Sequence, residues 1–117
     1  MEFNNRIVLI TGGASGIGKI MGRLALERGA RALVIWDINA ASIDAVAAEF
    51  AHKGRVAGYT VNVADAEAVE STYRRVKSEV GDVDILINCA GIVRGNRTFD
   101  RQSVDDIRLT MDINATA

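Results

Sequence analysis

The chain has 117 residues, about one domain, with 49% hydrophobic and 25% charged residues and a net charge of −1. That composition excludes a disordered tail. Its scattered Arg and Lys leave no basic patch for nucleic acid, and no apolar run approaches the roughly twenty residues that span a bilayer. A single cysteine, Cys89, excludes an internal disulfide, and the opening MEFNN lacks a signal-peptide pattern, so a cytoplasmic location is expected.

Residues 6–10, RIVLI, are short, apolar and closed by Thr-Gly-Gly, which predicts a buried strand. From Ile17 the period becomes helical, with Ile17, Ile20, Met21, Leu24 and Ala25 on one face and Gly29 as a stop. Residues 32–36 form a second apolar strand. Asn39 is placed to cap a second helix whose stripe is Ile43, Val46, Ala47 and Phe50, with Gly54 after it. Residues 56–63 predict a third strand. Asp65 is placed to cap a third helix with Val69, Tyr73, Val76 and Val80 on one face, ending at Gly81. Residues 83–88 predict a fourth strand, and Ser103, with Asp106 three residues on, opens a fourth helix. Strict alternation of strand and helix predicts an α/β domain: a doubly wound parallel sheet covered on both faces.

The chemistry concentrates between the first strand and the first helix. Free N–H groups at a helix start and the helix dipole favour an anion there. Gly12, Gly16 and Gly18 let a phosphate approach the backbone, and Gly18 also lets the helix pack tightly. Asp37 ends the second strand, nineteen residues beyond Gly18. A carboxylate there accepts both hydroxyls of an adenosine ribose and repels a 2′-phosphate. Ser15 and Ile38, where a base favouring that phosphate would sit, are not basic. The expected cofactor is therefore NAD. A methyltransferase-like domain, whose acid also holds an adenosine ribose, is the competing reading. His52, the single histidine, sits at a helix end as surface charge, and no Cys/His cluster suggests a metal.

Three motifs then stand in order. T-G-x-x-x-G-I-G is Thr11, Gly12, Gly13, Ala14, Ser15, Gly16, Ile17, Gly18. N-N-A-G is Asn88, Cys89, Ala90, Gly91, with cysteine at the second position. A helix asparagine is Asn114, within MDINATA. In these motifs the chain resembles the classical short-chain dehydrogenases/reductases, along its whole length and over the first half of that family's domain. VIWDIN and CAGIVRGNRTFD are also similar to the branch of retinol and 17-beta-hydroxysteroid dehydrogenases.

The resemblance implies a Rossmann-like sheet in the order 3-2-1-4, with residues 1–117 as the N-terminal, NAD-binding half of a larger domain. It implies cofactor contacts from Gly12, Ser15, Gly16, Ile17, Gly18, Asp37, Ile38, Asn62, Val63, Asn88, Ala90 and Gly91. Asn62 stands where the family usually has aspartate, and its side-chain carbonyl still accepts a hydrogen bond. Asn114 is the implied catalytic contributor, marking a helix bend whose freed carbonyl holds a water of the proton relay. The family's serine, tyrosine base and lysine come later than residue 117. The implied reaction is hydride transfer between NAD and a secondary alcohol or ketone, in a range that includes steroid-, retinoid- and other lipid-like alcohols, by a homo-oligomeric parent protein. The alternative is a non-catalytic NAD-binding module. Tyr73 and Lys77 match Y-x-x-x-K literally, yet they precede Asn88 and lie on the third helix, where Tyr73 is expected to be buried as packing.

Overall fold

The computed structural model describes residues 2–89. Four parallel strands, β1 (Ile7–Thr11), β2 (Ala32–Asp37), β3 (Val56–Thr60) and β4 (Ile85–Asn88), form one sheet in the order β3-β2-β1-β4. The helices between them are α1 (Gly16–Glu27), α2 (Ala40–Phe50) and α3 (Ala66–Glu79). All five residues of β1 are buried, as expected for a central strand covered on both faces. The fourth predicted helix, from Ser103, lies outside the described residues.

The period of two along each strand sorts the core into two layers. Val8, Ile10, Leu33, Ile35, Ile85 and Ile87 face α1 and α2, where they meet Ala25, Leu26, Ile43, Val46 and Phe50. Ile7, Leu9, Val34, Trp36 and Tyr59 face α3 and meet Val76. The chain moves outward from β1 through β2 to β3 with its helices on one face. It then returns past β1 to β4 with α3 on the other face, as right-handed crossovers require. That reversal leaves a crevice at the carboxyl ends of β1 and its two neighbours.

The two predicted caps form. Asn39 Oδ1 accepts from the Ser42 N–H at 3.0 Å, and Asp65 Oδ1 accepts from the Ala68 N–H at 3.1 Å. Three expectations need correction. β3 ends at Thr60 and not at Val63, because Asn62 Oδ1 accepts from the Ala64 N–H at 2.9 Å and turns the chain. Ile20, expected on the buried face of α1, is 47% exposed. The face α1 presents to the sheet is the small-residue stripe of Gly18, Gly22 and Ala25 with Leu26, which brings the helix axis close and rotates Ile20 outward. Tyr73, expected to be buried, is 42% exposed, because Thr72 and Val76 are the α3 residues turned fully inward.

Candidate cofactor-binding site

The crevice is a cleft of about 690 Å³. One wall is the turn from β1 into α1, where Gly12, Ser15, Gly16, Ile17 and Gly18 line it. Gly12 and Gly16 have φ of 69° and 55°, a region that favours glycine. A Cβ on Gly18 would collide with the Gly12 carbonyl, so the loop folds back on the helix start only without a side chain there. Among the described residues a Cβ on Gly16 would meet nothing within 4 Å, so its side faces the cleft.

The loop's N–H groups divide into two sets. Gly12 N–H donates to the Trp36 carbonyl at 2.7 Å, and Gly13 N–H reaches the same oxygen at 3.4 Å. Ala14 N–H donates to Asp37 Oδ2 at 3.1 Å. Three successive donors thus tie the loop to the end of β2. The first-turn N–H groups of α1, from Gly16 to Gly18, are those a helix start leaves for a ligand. Ser15 is the N-cap, exposed, with no side-chain capping bond, and the first turn holds no acidic residue. This end of the cleft suits an anion.

Asp37 forms the opposite rim. Its Oδ1 accepts from Ile38 N–H at 2.8 Å and from Asn39 N–H at 3.3 Å. These bonds fix the carboxylate at the end of β2, part-buried and against the cleft. Ile38, 72% exposed, and Val63, 41% exposed, form an apolar lip beyond it, with Asn62 between β3 and α3. Among the described lining residues no side chain is basic.

Nine of the sequence-derived binding residues therefore meet in this one cleft: Gly12, Ser15, Gly16, Ile17, Gly18, Asp37, Ile38, Asn62 and Val63. Asn88 does not line it. The Thr11 hydroxyl donates to Asn88 Oδ1 at 2.5 Å, which ties the ends of β1 and β4 together on the α3 side of the sheet. Ala90, Gly91 and Asn114 lie outside the described residues. The cleft also contains Ile20, Trp36 and Val61, which the motifs do not mark, and Cys89, which stands in the N-N-A-G motif but is not among the implied cofactor contacts. Position carried the signal for two of them: Trp36 precedes the ribose acid and Cys89 follows the Asn88 strand end. Burial pushes the Cys89 thiol up to about 11.

Tyr73 lies elsewhere. It lines a second cleft, of about 760 Å³, between α3 and the strands β1 and β4, together with Thr11, Asn88, Leu86 and Glu70. Lys77 points to Asp82, at 3.9 Å. Trp36 and Val63 are shared by the two clefts, and the buried Trp36 Nε1 has no hydrogen-bond partner among the described residues.

Known proteins similar to this chain include short-chain dehydrogenases and reductases. The family model described as short chain dehydrogenase matches residues 6–117. "Probable oxidoreductase EphD" of Mycobacterium tuberculosis is 42% identical over 99 residues, covering 84% of this chain and 17% of that protein. Mouse "Epidermal retinol dehydrogenase 2" is 41% identical over 113 residues, covering 95% of this chain and 36% of that protein. The chain thus spans only about a sixth to a third of these relatives. The crystal structure of L-sorbose reductase from Gluconobacter frateurii, complexed with NADPH and L-sorbose, superposes with a TM-score of 0.73 at 23% identity, covering 98% of this chain and 50% of that one. At that identity the likeness is one of fold.

Proposed function

Because the chain belongs to the short-chain dehydrogenase family, we propose that it forms the NAD-binding half of an oxidoreductase acting on a secondary alcohol or ketone. The observation that carries the choice of NAD is Asp37. Its carboxylate stands at the cleft rim, held by three backbone N–H groups, with no basic side chain among the described lining residues. A carboxylate so placed accepts ribose hydroxyls and repels a 2′-phosphate. The likeness to retinol dehydrogenase favours a lipid-like alcohol as substrate.

The residues present fit such a cofactor. The N–H groups at the start of α1, with the Ser15 hydroxyl, bind the pyrophosphate, while Asp37 holds the adenosine ribose. Ile38 and Val63 flank the adenine, and Asn62 accepts from its amino group. Asn88, through Thr11, keeps β4 in register with β1, and Ala90 and Gly91, next but one and beyond in sequence, are assigned to the cofactor by the motif alone. Nicotinamide, when bound, supplies the hydride acceptor or donor. The base that takes the hydroxyl proton is contributed from outside residues 1–117, and Asn114 holds a relay water by its carbonyl.

Titration of the intact parent protein with NADH and NADPH tests the reading. NADH binds more tightly, and Asp37→Ala erases most of that preference. Tighter NADPH binding, or a preference indifferent to Asp37→Ala, overturns it.

A further inference from the structure

We propose that Asp37 is also a positioning residue for the phosphate loop: through the Ala14 N–H it clamps the glycine turn in the shape that receives phosphate. This inference rests on the NAD reading of the cleft and adds a second task for the same carboxylate.

The bonding pattern carries it. The loop from Gly12 to Ser15 leaves β1 and must reverse into α1, with left-handed backbone at its first residue, Gly12 (φ 69°), and at Gly16 (φ 55°), where α1 begins. Glycine turns are costly to order because they lose the most backbone freedom. Two anchors offset that cost here. The Trp36 carbonyl holds Gly12 and Gly13, and both acceptor and donors are backbone, so no side-chain substitution removes them. Asp37 Oδ2 holds Ala14 at 3.1 Å, across 23 residues of sequence, and is the anchor nearest Ser15 and the helix start. Ala14 itself is buried, so its N–H lacks the option of turning to bulk water when the acceptor is removed.

Asp37 Oδ1 is occupied by Ile38 and Asn39, so the carboxylate cannot swing away from the loop without breaking the turn that leads into α2. The acid that recognises ribose and the loop that recognises phosphate are therefore one mechanical unit. Removing the acid has two opposed effects on a phosphate ligand. Loss of a nearby negative charge strengthens anion binding, whereas loss of the clamp weakens it. The sign of the net change separates the two tasks.

The probe is reduced nicotinamide mononucleotide, which carries one phosphate and no adenosine, so it offers no adenosine ribose to Asp37. In the intact parent protein, Asp37→Ala lowers affinity for this probe about fivefold, the size of one lost hydrogen bond at a buried donor. Replacing the Ala14 amide by an ester, with alanine's hydroxy-acid counterpart at position 14, deletes only the donor and keeps the carboxylate. It lowers affinity for the probe by at least that factor, because the carboxylate's charge remains. Combining the two lowers it no further, because both remove the same bond. In the ligand-free protein, amide exchange at Ala14 accelerates at least tenfold in Asp37→Ala. Unchanged or tighter probe binding in Asp37→Ala, additive losses in the double variant, or unchanged exchange at Ala14 each overturn the clamp. A parent protein that binds neither NADH nor the mononucleotide overturns the NAD reading and the phosphate half of the clamp with it, while the exchange result still reads the bond itself.

Discussion

The Tyr59 hydroxyl on β3 donates to Glu79 Oε1 at the end of α3, at 2.8 Å. Arg75 completes the group: its Nε donates to Glu79 Oε2 at 3.2 Å, and its guanidinium lies 5.0 Å from the centre of the Tyr59 ring. β3 is an edge of the described sheet, so this cluster pins the end of α3 over a strand with one neighbour.

The pair makes stability depend on pH at both ends. The Tyr59 hydroxyl and Arg75 hold the Glu79 carboxyl below its ordinary 4.5, so its contribution is present in full above that value and is lost as pH falls through the lowered one. Burial, with the Glu79 charge beside it, raises the Tyr59 hydroxyl above its ordinary 10.0. That contribution is present below pH 10 and is lost as pH rises through the raised value. Tyr59→Phe is expected to lower the melting temperature by roughly 2–5 °C at neutral pH. Melting curves of both proteins from pH 3 to 7 check this: the gap narrows at the acid end, and a gap constant with pH refutes the coupling.

The glycines of the loop fail in different ways when substituted. Gly18→Ala drives a Cβ into the Gly12 carbonyl, a backbone atom that cannot step aside without moving the loop. It should abolish measurable NADH binding and cost more than about 2 kcal/mol of stability. Gly16→Ala meets no neighbour, but its φ of 55° costs a side chain about 1 kcal/mol. Gly16→Asn should recover part of that stability, since asparagine tolerates the left-handed region, without recovering NADH affinity, because the added side chain still occupies the cleft. Chemical denaturation and NADH titration of the three variants separate strain from collision.

Cys89 lines the cleft at 7% exposure, with its thiol pushed up to about 11. At pH 8 its thiolate fraction is then about a hundredfold below that of an ordinary cysteine, and reactivity follows the thiolate. Alkylation by iodoacetamide should be slower than for free cysteine by at least that factor, and slower still with NADH bound. A rate within tenfold of free cysteine contradicts this environment.

Much of this was legible in the residues. The strand cores, the caps at Asn39 and Asp65 and the glycine loop follow from local rules that tertiary contacts reinforce. Reading the order β3-β2-β1-β4 required the family resemblance, since alternation alone leaves several parallel orders open. Helix faces depart from the apolar period where small residues, not large ones, make the contact. In α1 the contact stripe is Gly18, Gly22 and Ala25, because close approach to the sheet favours small side chains, and Ile20 is left over the cleft. In α3 Thr72 takes the inward place given to Tyr73, since both positions fit a helical period and only the packed sheet chooses between them. The division of loop N–H groups between β2 and a ligand had no sequence signal. It depends on where the Trp36 carbonyl and the Asp37 carboxylate come to rest, and backbone donors look alike in every sequence.

The Tyr73 and Lys77 pair gives the last prediction: residues 1–117 alone transfer no hydride, and Tyr73 takes no part in the parent's chemistry. A tyrosine base works at hydrogen-bond reach of the reacting hydroxyl, with its lysine nearby to lower its pKa. Tyr73 lines the cleft between α3 and β4, not the one bounded by the glycine loop and Asp37. Lys77 lies one helical turn further on and faces Asp82, just ahead of β4 at the opposite end of the strands from the glycine loop. Phosphate and ribose groups meet in the first cleft, but no described residue there offers a base poised for an alcohol proton. β4 is also an edge of the described sheet, with its apolar residues Ile85, Leu86 and Ile87 needing a further neighbour to close the sheet. The isolated segment should therefore bind NADH weakly, since ordering a loosely closed half-domain reduces apparent affinity. The check is to purify the segment and the intact parent and assay both with NAD and a panel of secondary alcohols. The parent produces NADH at the same rate with Tyr73→Phe as without it, and the segment produces none. Steady NADH production by the pure segment, lost on Tyr73→Phe, would show that the α3 tyrosine is the base after all.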